Sequence, residues 1–218
     1  MRLALIGHGF MGRLVADLIT SKPRSNNDEI GLILTSRDAS KSIGELASSL
    51  RGHDAAIDFS VGTGVISHVK ACALAAVPLV EGTTGWKDHE AEARQVVNEY
   101  NAALVYGANF SIGVNIFYRV VSHAAKLMAV IDGYEAFIEE AHHSRKRDAP
   151  SGTALKLKEL MAEHRAGDIA ISSTRAGHIP GTHRVGFDSA ADQIVLTHMA
   201  RSREGFAAGA LMAARWIV

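Results

Sequence analysis

The residues best suited to chemistry lie close together near the middle of the chain. His142 and His143 are adjacent, Lys146 follows them, and residues 150–153 spell Pro-Ser-Gly-Thr at the start of a predicted helix. Histidine donates and accepts protons near neutral pH, and lysine adds a cation and a second candidate acid. A helix start offers free backbone amides to an anion such as a carboxylate. This stretch therefore predicts an active site for a small anionic substrate.

The two adjacent histidines are expected to have different roles. Successive side chains of an extended segment point to opposite faces, so one of the pair would meet the substrate while the other shapes the pocket. A charged surface loop before a capped helix is the structural alternative. A metal site is not expected, because the sequence shows no third ligand at a usual spacing and no His-Glu-x-x-His helix.

A second candidate site lies at the first turn of the chain. A short apolar strand is predicted at residues 2–6, and it leads directly into Gly7-His8-Gly9-Phe10-Met11-Gly12 and a helical pattern. The first glycine of such a turn permits the bend, the second lets a pyrophosphate approach, and the third lets helix and strand pack closely. The free amides and the helix dipole favour phosphate. The pattern predicts dinucleotide binding, with a plain strand-to-helix turn as the alternative.

The end of the second predicted strand, residues 29–34, bears on the choice of cofactor. A polar turn at residues 22–28 precedes this strand. NAD-binding folds usually place Asp or Glu after it to hold the ribose 2′-hydroxyl. Here Thr35, Ser36 and Arg37 follow, and hydroxyls with a guanidinium suit a 2′-phosphate better. NADPH is therefore favoured over NADH, although Asp38 could bend back to a ribose and Arg37 could be an ordinary solvated side chain.

Strands and helices alternate from Met1 to about Tyr106, and a second glycine-rich turn, residues 82–85, follows the fourth strand. This alternation predicts a parallel, doubly wound sheet. We expect an α/β chain in which residues 1–111 and 203–218 form a Rossmann-like dinucleotide-binding domain. The last helix is expected to pack back on this domain.

The pattern changes between residues 112 and 202, where we expect a C-terminal α+β domain for substrate binding and oligomerisation. A strand over 134–141 is predicted to run into the histidine pair, and further strands predict a mixed or antiparallel sheet. The long helix over 114–130 carries an apolar stripe at Ile116, Val120, Ala124, Leu127 and Ile131. The last strand is apolar on both faces at Ile194, Val195, Leu196 and Met199, which indicates that another subunit covers the sheet.

Composition and charge narrow the classes of function. The 218 residues include 23 Lys and Arg and 23 Asp and Glu, so no general attraction to nucleic acid or to an acidic membrane is expected. No apolar run approaches the roughly 18 residues of a membrane span, and no signal peptide is recognised. These features predict a cytoplasmic protein that acts on a small molecule, with hydride transfer in a cleft between its domains.

Residues 140–154, from Glu140 through the histidine pair to Ala154, closely resemble the signature of the 4-hydroxy-tetrahydrodipicolinate reductase family. This family acts in the bacterial and plant diaminopimelate route to lysine. The resemblance covers nearly the whole chain and keeps the family's order of segments. The other matching segments are the turn at 7–12, Asp58-Phe59-Ser60, residues 82–85, residues 108–114 and Ser202-Arg203.

The resemblance implies that NAD(P)H reduces a cyclic unsaturated dicarboxylate to tetrahydrodipicolinate, with loss of water. It implies that His142 is the proton donor and acceptor and that Lys146 is a proton donor. His143, Gly152 and Thr153 match substrate-binding residues of the family. We also expect Ser151, at the helix start, and Arg203 to bind the substrate. The expected cofactor contacts are residues 7–12, Ser36, Arg37, Gly82, Thr83, Thr84, Gly107, Ala108, Asn109 and Phe110. A homotetramer joined through the sheets of the second domain is also implied.

The chain departs from longer family members in three places. It is shorter between Ser25 and Asp54 and after Gly181, its glycine turn is one residue tighter, and the acidic residue after strand two is replaced. Because of the last departure, the choice between NADH and NADPH as the cofactor is left open. Two alternatives are another two-domain dehydrogenase, such as one acting on an amino acid, and a non-enzymatic NAD(P)-binding sensor.

Overall fold

A computed structural model describes residues 1–21, 27–164 and 167–218 of the chain. Most of the polar turn predicted at residues 22–28 therefore lies outside the described residues. The chain divides into two compact units, one formed by Met1–Ser111 with Glu204–Val218 and the other by Ile112–Arg203. The second unit thus extends one residue beyond the predicted boundary at 202, and it includes Arg203.

The described residues form two separate sheets. The first is parallel throughout, with the order β2-β1-β3-β4-β5, and the second is mixed, with the order β7-β6-β8-β9. The strands are β1 (Arg2–Ile6), β2 (Glu29–Leu34), β3 (Ala55–Asp58), β4 (Leu79–Glu81), β5 (Leu104–Tyr106), β6 (Glu135–His142), β7 (Ala170–Arg175), β8 (Thr182–Asp188) and β9 (Gln193–Met199).

The α-helices follow the predicted order, with small shifts at their ends. They are α1 (Phe10–Ser21), α2 (Ile43–Leu50), α3 (Val65–Ala75), α4 (Glu90–Tyr100), α5 (Ile112–Met128), α6 (Gly152–Ala162) and α7 (Glu204–Ile217). None of the helices in the described ranges is both long enough and apolar enough to cross a membrane.

The sheet of the first unit is buried on both faces. Alternate residues of β1 divide between two cores, because Leu3 and Leu5 pack with α1 and α7 while Ala4 and Ile6 pack with α2 and α3. Helices on both faces of a parallel sheet are the doubly wound arrangement. Helix α7 lies in this unit, as predicted. It approaches closely at Gly209, where an added Cβ would collide with the carbonyl of Phe110.

The second unit has one core between its sheet and the helix pair α5 and α6. Phe117 and Val121 of α5 meet Leu157 of α6, and Ile138 and Phe187 contribute from the sheet. The prediction of a parallel Rossmann-like sheet followed by an α+β region is confirmed. The strand predicted to end in the histidine pair is β6, which reaches His142.

The apolar stripe predicted on α5 is not its buried face. Ile116 and Leu127 are 53% and 57% exposed, whereas the buried residues are Val114, Phe117, Val121, Ala125 and Met128. The reason is that the apolar side of α5 is wider than the face that packs, so helical spacing alone does not show which part of that side is buried. Contact with α6 and the sheet selects it instead.

Candidate active site

The glycine turn after β1 has the geometry expected of a phosphate-binding turn. Gly7 has a φ of +89°, and a Cβ there would lie 2.5 Å from the carbonyl oxygen of Phe59. Gly12 packs so close to the Gly7 carbonyl that a side chain would collide with it, while an added Cβ at Gly9 would meet nothing within 4 Å. The turn is therefore tight at its two ends and open in the middle, where a pyrophosphate would approach.

A cavity of about 780 Å³ lies in the first unit beside this turn. Of the predicted cofactor residues, the cavity is lined by Gly7, His8, Gly9, Ser36 and Arg37. Phe10, Met11 and Gly12 form the first turn of α1 next to it. Further residues that line the cavity were not predicted from the sequence, namely Lys41, Ser60, Thr63, Ser67 and His68.

The loop after β2 explains how Arg37 is presented. The backbone N–H of Thr35 donates to Oδ2 of Asp38 at 2.8 Å, and Lys41 Nζ lies 2.8 Å from Oδ1. The hydrogen bond from Lys41 is the main cause that lowers the pKa of Asp38. Both carboxylate oxygens are therefore engaged within the loop. This arrangement opposes the alternative in which Asp38 bends back to a ribose.

The other predicted cofactor residues lie after β4 and β5, at the carboxyl ends of the parallel strands. Thr83 is held by buried acids, because its N–H donates to Oε1 of Glu81 at 2.7 Å and its hydroxyl to Asp58 at 3.3 Å. Burial, together with the nearby Asp58, raises the pKa of Glu81 to about 9. Glu81 is therefore protonated at neutral pH, and it stands beside Asp58 as a neutral acid.

The same cluster reaches the cavity through His68. Nδ1 of His68 lies 2.7 Å from Oδ2 of Asp58, and the Ser60 N–H donates to Oδ1 at 2.8 Å. After β5, the side chain of Asn109 accepts a hydrogen bond from the Ser111 N–H at 2.9 Å, and Phe110 meets Phe59 edge to face. These contacts fix the loops that carry Gly82, Thr83, Thr84, Gly107, Ala108, Asn109 and Phe110.

In the second unit, the predicted helix start is present at α6. Ser151 is the N-cap, and its hydroxyl accepts a hydrogen bond from the Ala154 N–H at 3.2 Å. Gly152 and Thr153 are the first helical residues, so their backbone N–H groups have no partner within the helix. The helix N-terminus beside the histidine segment can therefore hold a carboxylate.

Lys146 and the histidine pair lie at the end of β6 and in the loop that follows. Lys146 Nζ lies 2.8 Å from the carboxylate of Asp148, and this hydrogen bond lowers the pKa of Asp148. The backbone N–H of Lys146 donates to the carbonyl of His143 at 3.0 Å, which closes a turn. Arg203 is exposed at the end of the unit, directly before α7.

Glu140 lies on the same strand as His142, two residues earlier, and its carboxylate is buried. Oε1 accepts three hydrogen bonds, from the Ser151 N–H at 3.0 Å, from Ser173 Oγ at 2.7 Å and from Arg175 Nη2 at 2.6 Å. Burial acts to raise the pKa of Glu140, but these donors outweigh it and lower the pKa to about 2. Glu140 is therefore a fixed negative charge.

The ring of His142 lies between this carboxylate and a second histidine. Nδ1 of His142 is 3.2 Å from Oε2 of Glu140, and the ring of His183 crosses it edge to face at 5.0 Å. Burial lowers the pKa of His142, and Glu140 acts against that shift while Lys146 acts with it. Burial is also the first cause that lowers the pKa of His183 to about 4. His183 is therefore neutral at physiological pH.

The grouping of Glu140, His142 and His183 bears on the expectation of no metal. Their ligand atoms lie within 4.8 Å of one another, as a metal site would require. Sequence spacing does not reveal His183 as a third candidate ligand, because His183 comes from β8, where it pairs in register with Glu140. The guanidinium of Arg175, 2.6 Å from the same carboxylate, opposes a divalent cation. The absence of a metal stays a prediction.

The fold and these two sites define a class of protein, a two-domain NAD(P)-dependent oxidoreductase. Residues 1–110 match the family model described as dihydrodipicolinate reductase, N-terminus, and residues 113–218 match the one described as its C-terminus. The chain therefore belongs to the dihydrodipicolinate reductase family. The predicted NAD(P)-dependent reductase of lysine and diaminopimelate biosynthesis is confirmed.

Named relatives and solved structures agree with this assignment. The chain is 35% identical to 4-hydroxy-tetrahydrodipicolinate reductase of Christiangramia forsetii, covering 100% of this chain and 92% of that protein. It is 37% identical to the enzyme of the same name from Nitrosomonas eutropha, over 79% of this chain and 71% of the relative.

Two solved structures share the fold. The dipicolinate-bound dihydrodipicolinate reductase from Paenisporosarcina sp. TG-14 superposes with a TM-score of 0.80 at 20% identity, over 100% of this chain and 94% of the other. Aspartate dehydrogenase from Thermotoga maritima gives a TM-score of 0.53 at 9% identity, over 99% and 95%. The amino-acid dehydrogenase considered as an alternative therefore shares the architecture, while both family models assign this chain to the reductases.

Proposed function

We propose that this reductase binds the cyclic dicarboxylate 4-hydroxy-tetrahydrodipicolinate at the N-terminus of α6 and protonates it from His142, with Lys146 as a further proton donor. The observation that carries the proposal is the juxtaposition of a buried imidazole, a lysine and an open helix start within twelve residues, 142–153. The reduced nicotinamide supplies a hydride when it is bound.

The residues around the helix start suit a carboxylate of the substrate. The first N–H groups of α6, from Gly152 and Thr153, present donors at the positive end of the helix dipole. The Ser151 hydroxyl caps the helix and lies 3.2 Å from Nε2 of His183, so Ser151 supports this helix start from below the surface. His143 directly follows His142 in the chain and is partly exposed. A solved relative was described with dipicolinate bound, and this aromatic dicarboxylate resembles the proposed substrate. We assign Arg203 to the second carboxylate.

Activity can be tested by generating the substrate in situ from its biosynthetic precursors and following NADPH or NADH oxidation. We expect turnover that depends on both substrate and cofactor. Aspartate with NAD or NADP serves as the matched negative substrate, because the amino-acid dehydrogenase shares this fold. Turnover of aspartate without turnover of the dicarboxylate would overturn the proposed substrate.

NADPH is proposed as the preferred cofactor. The observation in support is that Arg37 and Ser36 line the cavity after β2, while both oxygens of Asp38 are engaged by Thr35 and Lys41. A guanidinium in this place suits a 2′-phosphate, which NADH lacks.

Replacing Arg37 by Ala is expected to weaken NADPH binding about tenfold, the size of one charge-assisted hydrogen bond. NADH binding should be unchanged within about twofold. Cofactor fluorescence titration measures both, and Arg51→Ala, an exposed arginine after α2, is the matched control. Equal weakening of both cofactors would contradict a 2′-phosphate contact at Arg37.

A homotetramer joined through the second sheet completes the proposal, and the cytoplasm is its proposed location. The supporting observation is that Val195 and Met199 of β9 are 43% and 62% exposed. Both lie on the sheet face opposite Leu196, which packs in the core. Sedimentation equilibrium is expected to give four times the chain mass of 23.3 kDa, and a monomer at micromolar concentration would contradict the assembly.

A further inference from the structure

We infer that Glu140 is the positioning residue for His142: its carboxylate orients the imidazole, fixes the tautomer and favours the protonated form. This inference rests on the proposed function, in which His142 supplies the proton. It adds a residue for which the sequence pattern suggested no role. The two oxygens of Glu140 and the groups around His142 carry this inference.

Oε1 of Glu140 is immobilised by its hydrogen bonds. It accepts hydrogen bonds from a backbone amide and from the side chains of Ser173 and Arg175, at 2.6–3.0 Å. Arg175 Nη2 also donates to the carbonyl of Asp148 at 2.6 Å. A single guanidinium therefore ties the carboxylate to the loop that carries Lys146, and the carboxylate plane cannot turn freely.

Oε2 of Glu140 faces the imidazole rings of His142 and His183. It lies 3.2 Å from Nδ1 of His142 and 3.8 Å from Nε2 of His183. Within the described residues both Oε2 and Nδ1 of His142 are buried and make no hydrogen bond, so the two atoms face each other as an ion-pair contact that a small turn of the ring would convert into a hydrogen bond. A carboxylate can only accept, so it selects the tautomer with a proton on Nδ1. The Nε2 atom is then the one that exchanges a proton with substrate.

A glycine leaves space beside Nε2 of His142. Gly181, with a φ of +147°, stands next to Nε2, and a Cβ there would lie 3.2 Å from this atom. When Nε2 is protonated, it can give its proton to the substrate and return to the neutral Nδ1–H form. Glu140 stays ionised throughout, as a carboxylate that orients a histidine does.

The charged groups that the described residues place around the His142 ring act in both directions. Lys146 and Arg175 are cations that disfavour a protonated His142, and Asp148 is a partner that favours it. His183 on β8 is neutral and faces His198 on the next strand. Glu140 is therefore the nearest of the groups that stabilise the imidazolium.

Replacing Glu140 by Gln tests this role, because Gln keeps an acceptor for the three Oε1 donors and removes the charge. We expect the alkaline fall of kcat to move down by about one pH unit and kcat at neutral pH to fall about tenfold. KM should stay within about twofold. The matched control is Glu139→Gln, since Glu139 is exposed, points to the opposite face and lies 3.7 Å from Arg184.

The NMR signals of the His142 ring distinguish a positioning role of Glu140 from a purely structural one. The ¹⁵N signals of the His142 ring should show a proton on Nδ1 in the wild-type protein and on Nε2 in Glu140→Gln, because the amide NH2 of Gln would face Nδ1 as a donor. A lower melting temperature with an unchanged pH profile and unchanged ring signals would overturn the inference and leave Glu140 a structural cross-link. The ring signals need no turnover, so they test this inference even where the proposed substrate fails.

Discussion

The variant His142→Gln is expected to lower kcat by about a hundredfold or more, the usual contribution of a general acid or base. Glutamine has nearly the same length and can donate a hydrogen bond, but it cannot release a proton near neutral pH. KM should change by less than about threefold, because the helix start at Ser151 is untouched. Steady-state kinetics with saturating NADPH measures both quantities.

The control for this variant is His123→Gln, an exposed histidine on α5 in the same unit. It should have wild-type kcat, which would show that loss of a histidine alone does not reduce activity. Thermal unfolding of both variants checks that the fold is kept. A His142→Gln enzyme within a factor of three of wild type would remove the proposed role of His142.

The fold was predictable because local patterns and chain order are sufficient for it. Alternating strands and helices up to Tyr106 predict a parallel sheet, and the glycine turn at residues 7–12 marks where its first helix begins. The buried face of α5 was not predictable in the same way, since the apolar side of this helix is wider than the part that packs. Which of Ile116 and Phe117 is buried depends on α6 and the sheet, and sequence spacing alone does not give their placement.

The same distinction applies to the candidate active site. His142, Lys146 and Ser151 are close in sequence, so their grouping could be predicted from one segment. His183 and Arg175 reach Glu140 from other strands, through a register that the sequence does not specify. One local signal was present, because residues two apart on a strand share a face, and Glu140 therefore lies on the side of His142.

The second large effect is expected at Lys146, where replacement by Ala should lower kcat by about a hundredfold. The lysine is three-quarters buried and lies 2.8 Å from Asp148, so it is a held cation. Removing it takes away the proposed second proton donor, and it also leaves Asp148 without its ion-pair partner near the proposed substrate site. KM for the dicarboxylate is therefore expected to rise as well, in contrast to His142→Gln.

The matched control is Lys158→Ala, because Lys158 also pairs with an aspartate, Asp168, at 2.5 Å in the same unit. It should leave kcat and KM unchanged, since exposed ion pairs contribute little. The variant Lys146→Arg then separates the role of Lys146 as a proton donor from its role as a cation. Arginine keeps the cation, so KM should recover toward wild type, but its guanidinium does not release a proton in proteins and so cannot act as a proton donor. Recovery of kcat along with KM would show that Lys146 acts by charge alone, and His142 would then be the single proton donor.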